Sequence, residues 1–140
     1  MIHTIALDDE PPALDILGKF CSQVDYIDLT KKFSKASEAM KHLKNFPIDL
    51  VFLDINMPSI SGLEFKKLLS QDTMVIFTTA YTEFAIEGFN LNAVDYLLKP
   101  FTLERFKQAT EKAKAYYQFL HQSQSHKHDH LLIRVAYSLM

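Results

Sequence analysis

Two apolar patterns alternate along this chain. Short runs such as His3-Thr4-Ile5-Ala6-Leu7, Leu50-Val51-Phe52-Leu53, Met74-Val75-Ile76-Phe77 and Val94-Asp95-Tyr96-Leu97-Leu98 are separated by stretches with apolar residues three or four apart. A continuous run of four apolar residues reads as a strand buried on both faces. Spacing of three and four reads as a helix with one buried stripe. Leu14, Leu17, Phe20, Cys21 and Val24 give the first helix, opened by Pro11-Pro12 because proline fits the first helical turn. Ile27-Asp28-Leu29 alternates, as a half-exposed edge strand does. Ala36, Ala39, Met40 and Leu43 mark a second helix ended by Asn45 and Pro47. A short third helix begins near Leu63, a weakly amphipathic fourth covers Thr82 to about Gly88, and a long fifth runs from Leu103 through Phe106, Thr110, Ala113, Tyr117 and Leu120.

Strand followed by helix, repeated five times over about 120 residues, predicts an α/β fold: a parallel sheet with helices on both faces, joined by right-handed crossovers. Residues 121–130 (His-Gln-Ser-Gln-Ser-His-Lys-His-Asp-His) are polar and lack a core residue, so they read as a linker. Beyond them Ile133, Val135, Tyr137 and Leu139 alternate with Arg134, Ala136 and Ser138, as one more strand would.

Composition changes this picture little. Of 140 residues, 48% are hydrophobic and 23% charged, ordinary for a soluble globular domain, and the net charge of −2 does not mark a nucleic-acid binder. The single cysteine, Cys21, allows no internal disulfide and falls on a helix's apolar face; it reads as an inert core thiol suited to a reducing cytoplasm. The N-terminus has no charged region followed by an apolar run, and no apolar segment approaches the roughly 18 residues of a membrane span. Neither signal peptide nor membrane association is expected.

The candidate chemistry lies at the strand ends. In a parallel sheet all strands end on one rim, where open α/β sheets bind ligands. The first polar groups after strands one, three, four and five are Asp8/Asp9, Asp54, Thr79 and Lys99. Crowded carboxylates favour a hard divalent cation such as Mg²⁺, which takes one or two carboxylates plus water and phosphate oxygens. Lys99 adds a point charge for a phosphoryl oxygen and Thr79 a hydroxyl donor. The set suits phosphoryl transfer to a carboxylate. Taken singly, each segment has a plainer reading: Asp8-Asp9-Glu10 as a helix N-cap cluster, Asp54 as a cap for the turn at Ser61-Gly62, Lys99-Pro100 as a strand stop, Thr79 as a turn former and Tyr96 as an edge-strand aromatic.

Leu7-Asp8-Asp9-Glu10, Leu53-Asp54-Ile55-Asn56-Met57-Pro58, Thr79-Ala80 and Asp95-Tyr96-Leu97-Leu98-Lys99-Pro100-Phe101 together resemble the receiver domain of two-component response regulators over residues 1–120. The resemblance implies the flavodoxin-like (βα)5 fold with strand order 2-1-3-4-5. It implies a switch rather than an enzyme, with at most slow self-catalysed phosphorylation and dephosphorylation. Asp54 would be the phosphoacceptor, charged by a sensor histidine kinase. Mg²⁺ would be held by Asp9, Asp54 and the backbone carbonyl of Asn56, with Asp8 acting mostly through water. Lys99 would pair with Asp54 and then with the phosphoryl group. Thr79 would follow that group inward and open space for the Tyr96 ring. A cis peptide is implied before Pro100. The third helix, between Gly62 and Met74, departs from the family's pattern by being short.

Phe77-Thr78-Thr79-Ala80-Tyr81 and Ala93 to Phe101 resemble most the receivers joined to LytTR-type DNA-binding domains, as in LytR/AlgR regulators. Asp129 to Val135 resembles the first strand of such a domain, so residues 131–140 read as its truncated start. DNA binding and transcription control would then need the missing remainder. A homodimer through the face of the fourth helix, fifth strand and fifth helix is also implied. A flavodoxin-like electron carrier is disfavoured by the acidic loop after strand one, which would repel a flavin phosphate. An aspartate-nucleophile phosphatase would want an acid where Asn56 stands. His126, His128 and His130 alternate in a way that could hold Zn²⁺ or Ni²⁺, but a solvated linker needs no such explanation.

Overall fold

The computed structural model describes residues 1–81 and 92–122. In chain order the described elements are β1 (Ile2–Leu7), α1 (Pro11–Cys21), β2 (Ile27–Phe33), α2 (Ala36–Asn45), β3 (Leu50–Asp54), α3 (Gly62–Lys67), β4 (Met74–Thr79), β5 (Asp95–Leu98) and a C-terminal helix (Leu103–Gln122). The predicted fourth helix at Thr82–Gly88 and residues 123–140 lie outside the described residues. His121 and Gln122, expected as the start of the linker, are the last residues of the C-terminal helix.

The strands form one five-stranded sheet of order β2-β1-β3-β4-β5, and every pairing is parallel. The order agrees with that implied by the resemblance. All five residues of β3 and all six of β4 are buried, as their unbroken apolar runs require. β2 lies at the edge and extends four residues past Leu29, to Phe33. Exposed Lys31 and Lys32 hid this extension, because lysines guard an edge strand without ending it.

Side chains alternate across β3 and β4 into two cores. Phe52 and Ile76 face α1 and the C-terminal helix, where Leu14, Leu17, Phe106, Ala109 and Ala113 pack. Val51, Leu53, Val75 and Phe77 face α2 and α3, meeting Ala39 and Phe65. Phe106 is fully buried, stacks on Phe52 with centroids 5.4 Å apart, and meets Phe20 edge-on. Truncating such an aromatic to alanine costs about 3–5 kcal/mol, enough to threaten a domain of this size. Cys21 is buried in the first core and burial pushes its thiol up to about 12, so it is the inert core thiol expected. The result is a rim on which the ends of β1, β3, β4 and β5 stand side by side.

Candidate functional site

The rim is built residue by residue from the strand ends. In β1 the register places Leu7 against Leu53, so Asp8 and Asp54 follow on adjacent strands. Asp54 itself pairs with Thr78 of β4. Asp8 is fully buried and Asp54 only 3% exposed. Asp8 does not cap α1. Its Oδ1 accepts the Glu10 N–H at 2.9 Å, and Glu10 at the N-cap position makes no side-chain cap bond. The helix starts because Pro11 and Pro12 fit its first turn. The acids are therefore not spent on the helix.

Lys99 reaches this group from the end of β5. Its Nζ donates to Asp8 Oδ2 at 2.8 Å and lies 3.8 Å from Asp54 Oδ1. The expected partner was Asp54, but the ammonium sits closer to the wholly buried Asp8, whose charge most needs a counterion. The Lys99–Pro100 peptide is cis, as the resemblance implies. Burial disfavours the Lys99 ammonium, but the Asp8 hydrogen bond and the charges of Asp54 and Asp8 outweigh it and raise its pKa. Asp54 behaves oppositely. Burial, then the Asp8 charge, push its carboxyl up to about 7 against the pull of Lys99; nearby Asp9 adds to the rise and the Asn56 N–H, 3.3 Å from Oδ1, opposes it.

Carboxylate oxygens of Asp8, Asp9 and Glu10 lie within 4.8 Å of one another. Asp9 Oδ1 is buried and has no hydrogen-bond partner. A buried carboxylate oxygen without a donor is costly unless a cation completes it. This donor set of hard oxygens fits Mg²⁺. Glu10 was not among the sequence-predicted ligands. It is exposed at the mouth of the cluster, and its adjacency to Asp8-Asp9 was the available signal.

Thr79 and Tyr96 both converge on Tyr81. Thr79 Oγ1 accepts the Tyr81 N–H at 3.1 Å, and the Tyr96 hydroxyl donates to the Tyr81 carbonyl. The Thr79 carbonyl also accepts the Lys99 N–H at 2.7 Å, joining the ends of β4 and β5. On the other side of β5, Asp95 is 2% exposed and held by Arg105 in two hydrogen bonds of 2.8 and 2.9 Å. Burial works against the Asp95 carboxylate, but Arg105, the Tyr96 N–H and Lys112 together hold it below the usual range.

The loop after Asp54 closes beneath it at Gly62. The Gly62 N–H donates to the Ile55 carbonyl at 2.7 Å, and a Cβ on Gly62 would lie 2.3 Å from the Asp54 carbonyl oxygen. Ser61 caps α3 by accepting the Glu64 N–H at 3.1 Å, a Ser-x-x-Glu signal visible in the sequence. Asp54 is thereby free of the capping role that its position alone allowed.

This sheet order and acidic rim define a class, and the family comparison agrees. Residues 5–111 match the response regulator receiver domain, and the chain belongs to that family. It is thus a receiver domain of two-component signalling. It is 37% identical over 134 residues to the sensory transduction protein LytR of Staphylococcus haemolyticus, covering 93% of this chain and 50% of that protein. It is 38% identical over 114 residues to a response regulatory protein of Vibrio cholerae, covering 80% of this chain and 48% of that one. The chain spans about half the length of the curated relatives it matches. Among solved structures, the response regulatory domain of MrkE from Klebsiella pneumoniae superposes with a TM-score of 0.76 at 28% identity, covering 83% of this chain and 98% of that one. The response regulator TrrA from Thermotoga maritima, in complex with Mg²⁺–BeF, gives 0.71 at 28% identity, covering 81% of this chain and 99% of that one. Among the described residues no helix is long and apolar enough to cross a membrane.

Proposed function

We propose that Asp54 is the phosphoacceptor of this receiver, taking a phosphoryl group from a histidine kinase. The supporting observation is the arrangement of Asp54: a nearly buried carboxylate beside Asp8 and Asp9, with the Lys99 ammonium 3.8 Å away. The Asp54 carboxylate oxygen forms the new bond to phosphorus as the bond from phosphorus to the histidine nitrogen breaks. The product is an acyl phosphate, and the imidazole keeps the departing electron pair and takes up a proton. In this reading Lys99 leaves Asp8, its partner here, for a phosphoryl oxygen. Asp9, Asp54 and the Asn56 carbonyl would hold Mg²⁺, with Asp8 acting through water. The ion, when bound, offsets negative charge on the phosphoryl oxygens.

Thr79 and Tyr96 carry the switch in this reading. Thr79 gives up the Tyr81 N–H to bind the phosphoryl group, and Tyr96 gives up the Tyr81 carbonyl as its ring turns inward. Output then changes at the face carrying β5, whose Leu98 is exposed at the sheet edge and suits a phosphorylation-dependent homodimer. The likeness to a protein named LytR supports a LytTR-type output; in this reading the polar stretch after Gln122 is the linker, residues 131–140 begin the DNA-binding part, and the protein works in the cytoplasm. The test is incubation with acetyl phosphate and Mg²⁺, read by intact mass. One phosphoryl adduct, cleaved by hydroxylamine and absent in Asp54→Asn, is expected. An adduct retained at full yield in Asp54→Asn moves the acceptor elsewhere.

A further inference from the structure

Tyr96 is held at both ends. Its hydroxyl donates to the Tyr81 carbonyl, and its own carbonyl accepts Arg105 Nη2 at 3.0 Å. The same guanidinium forks onto both oxygens of Asp95. Arg105 is itself fixed, because its N–H donates to Thr102 Oγ1 at 3.1 Å in the first turn of the C-terminal helix. The next residue, Phe106, is fully buried in the core. A continuous path therefore runs from Thr79 Oγ1 through Tyr81 and Tyr96 to Arg105 and the start of that helix. Asp95 makes the clamp stiff: a carboxylate 2% exposed cannot lose its counterion cheaply, and an arginine fork allows little angular play. Lys112, 3.4 Å from Asp95, adds charge from one side of the carboxylate.

Resting on the switch reading above, we propose that Arg105 is a positioning residue. By gripping Asp95 and the Tyr96 carbonyl at once, it makes the placement of the Tyr96 backbone and of the first turn of the C-terminal helix one variable. When Tyr96 leaves Tyr81, the displacement of β5 is carried into the helix rather than absorbed at the 99–102 loop. That helix leads toward the polar segment at the chain's end, so the clamp gives the phosphorylation site a route to an attached output. Without it the site still takes a phosphoryl group, but the helix does not register it.

Hydrogen exchange of the amides in residues 103–110 tests this on the full chain, with and without Mg²⁺ and beryllofluoride. In the wild type the exchange rate should differ between the two states by about fivefold or more, the scale of a coupling free energy that matters to signalling. Arg105→Gln should keep the acetyl phosphate adduct yet lose the difference, whereas Lys112→Gln should keep both. A merely structural role would speed exchange equally in both states and leave the ratio intact, overturning the proposal. If Arg105→Gln unfolds because Asp95 is left charged and unpaired, the double variant Asp95→Asn with Arg105→Gln removes that charge and carries the same test. A wild type that forms the Asp54 adduct without any change at residues 103–110 overturns the clamp alone. A wild type that forms no adduct removes the reading beneath it as well.

Discussion

Lys99 stands closer to Asp8 than to Asp54: Nζ is 2.8 Å from the first carboxylate and 3.8 Å from the second. The difference orders the site electrostatically. Asp8, fully buried, takes the counterion, and Asp54 is left near two acids with only partial compensation. Asp54 is therefore the least comfortable charge in the pocket. A site arranged this way gains from any group that brings positive charge next to Asp54.

The first consequence is a pH-dependent stability. Folding raises the Asp54 pKa from 3.8 to about 7, so between those values the folded state keeps a proton that the unfolded chain has released. Stability then falls as pH rises through this window and bears the whole cost above it. Asp54→Asn keeps the shape without the charge. In chelator-treated buffer it should be more stable than wild type by about 2–4 kcal/mol at pH 8, and indistinguishable below about pH 4. Urea unfolding at several pH values measures this, and an Asp54→Asn variant no more stable at pH 8 would contradict the crowding of charges.

Asp9 should show two effects of opposite sign. Its unpartnered, buried Oδ1 adds repulsion in the absence of metal, so Asp9→Asn should raise or preserve stability there. If Asp9 ligates Mg²⁺ as proposed, the same change removes a direct ligand. Wild type should gain about 2.7 kcal/mol at a Mg²⁺ concentration 100 times its Kd, and Asp9→Asn should need about tenfold more ion for the same gain. Thermal unfolding across a Mg²⁺ titration separates the effects. Lys99→Ala in the same titration should leave Mg²⁺ binding largely in place, because an ammonium does not ligate a cation.

The sheet and the acidic rim were legible because their signals are local. Continuous apolar runs identify strands buried on both faces, and a polar residue at each run's end identifies the rim. What stayed hidden depends on contacts between distant segments. Nothing near Arg105 shows that its guanidinium closes on Asp95 and Tyr96 across a cis-proline turn. Nothing near Lys99 shows that Asp8, 91 positions earlier, is its nearer partner. The end of β2 was hidden for another reason, since an edge strand carrying Lys31 and Lys32 lacks the periodicity of a half-buried one.

Gly62 belongs to the same hidden set, and it yields a sharp test. An alanine there would put its Cβ 2.3 Å from the Asp54 carbonyl oxygen and 2.8 Å from Ile55 Cα, both backbone atoms that cannot swing aside. The loop or the end of β3 must shift. Gly62→Ala should cost about 1–3 kcal/mol in stability, as overpacking does, and should slow adduct formation because Asp54 moves with its carbonyl. Ser61→Ala is the control: it removes only the α3 cap, at about 1 kcal/mol, and should leave the adduct rate near wild type. Gly62→Ala with unchanged stability and rate would show that the loop yields freely.

Where the folded unit ends is the remaining question, and the C-terminal helix sets it. Tyr116 is buried in the first core, Tyr117 and Leu120 pack against it, and the Tyr117 hydroxyl donates to the Met1 carbonyl. The helix is thus needed through about Leu120. A chain ending at Gln122 keeps all of these contacts. It should melt within about 3 °C of the full chain and accept phosphate at the same rate. A chain ending at Lys114 loses Tyr116, Tyr117 and Leu120 and should be weaker by about 3–5 kcal/mol. The sequence beyond Gln122 bears on association instead. Ile133, Val135, Tyr137 and Leu139 make an apolar, strand-prone series with little charge, and such series pair with other copies. Sedimentation at matched concentration should therefore show less self-association for the chain ending at Gln122 than for the full chain. If that shorter chain failed to fold, residues past 122 would belong to the receiver core.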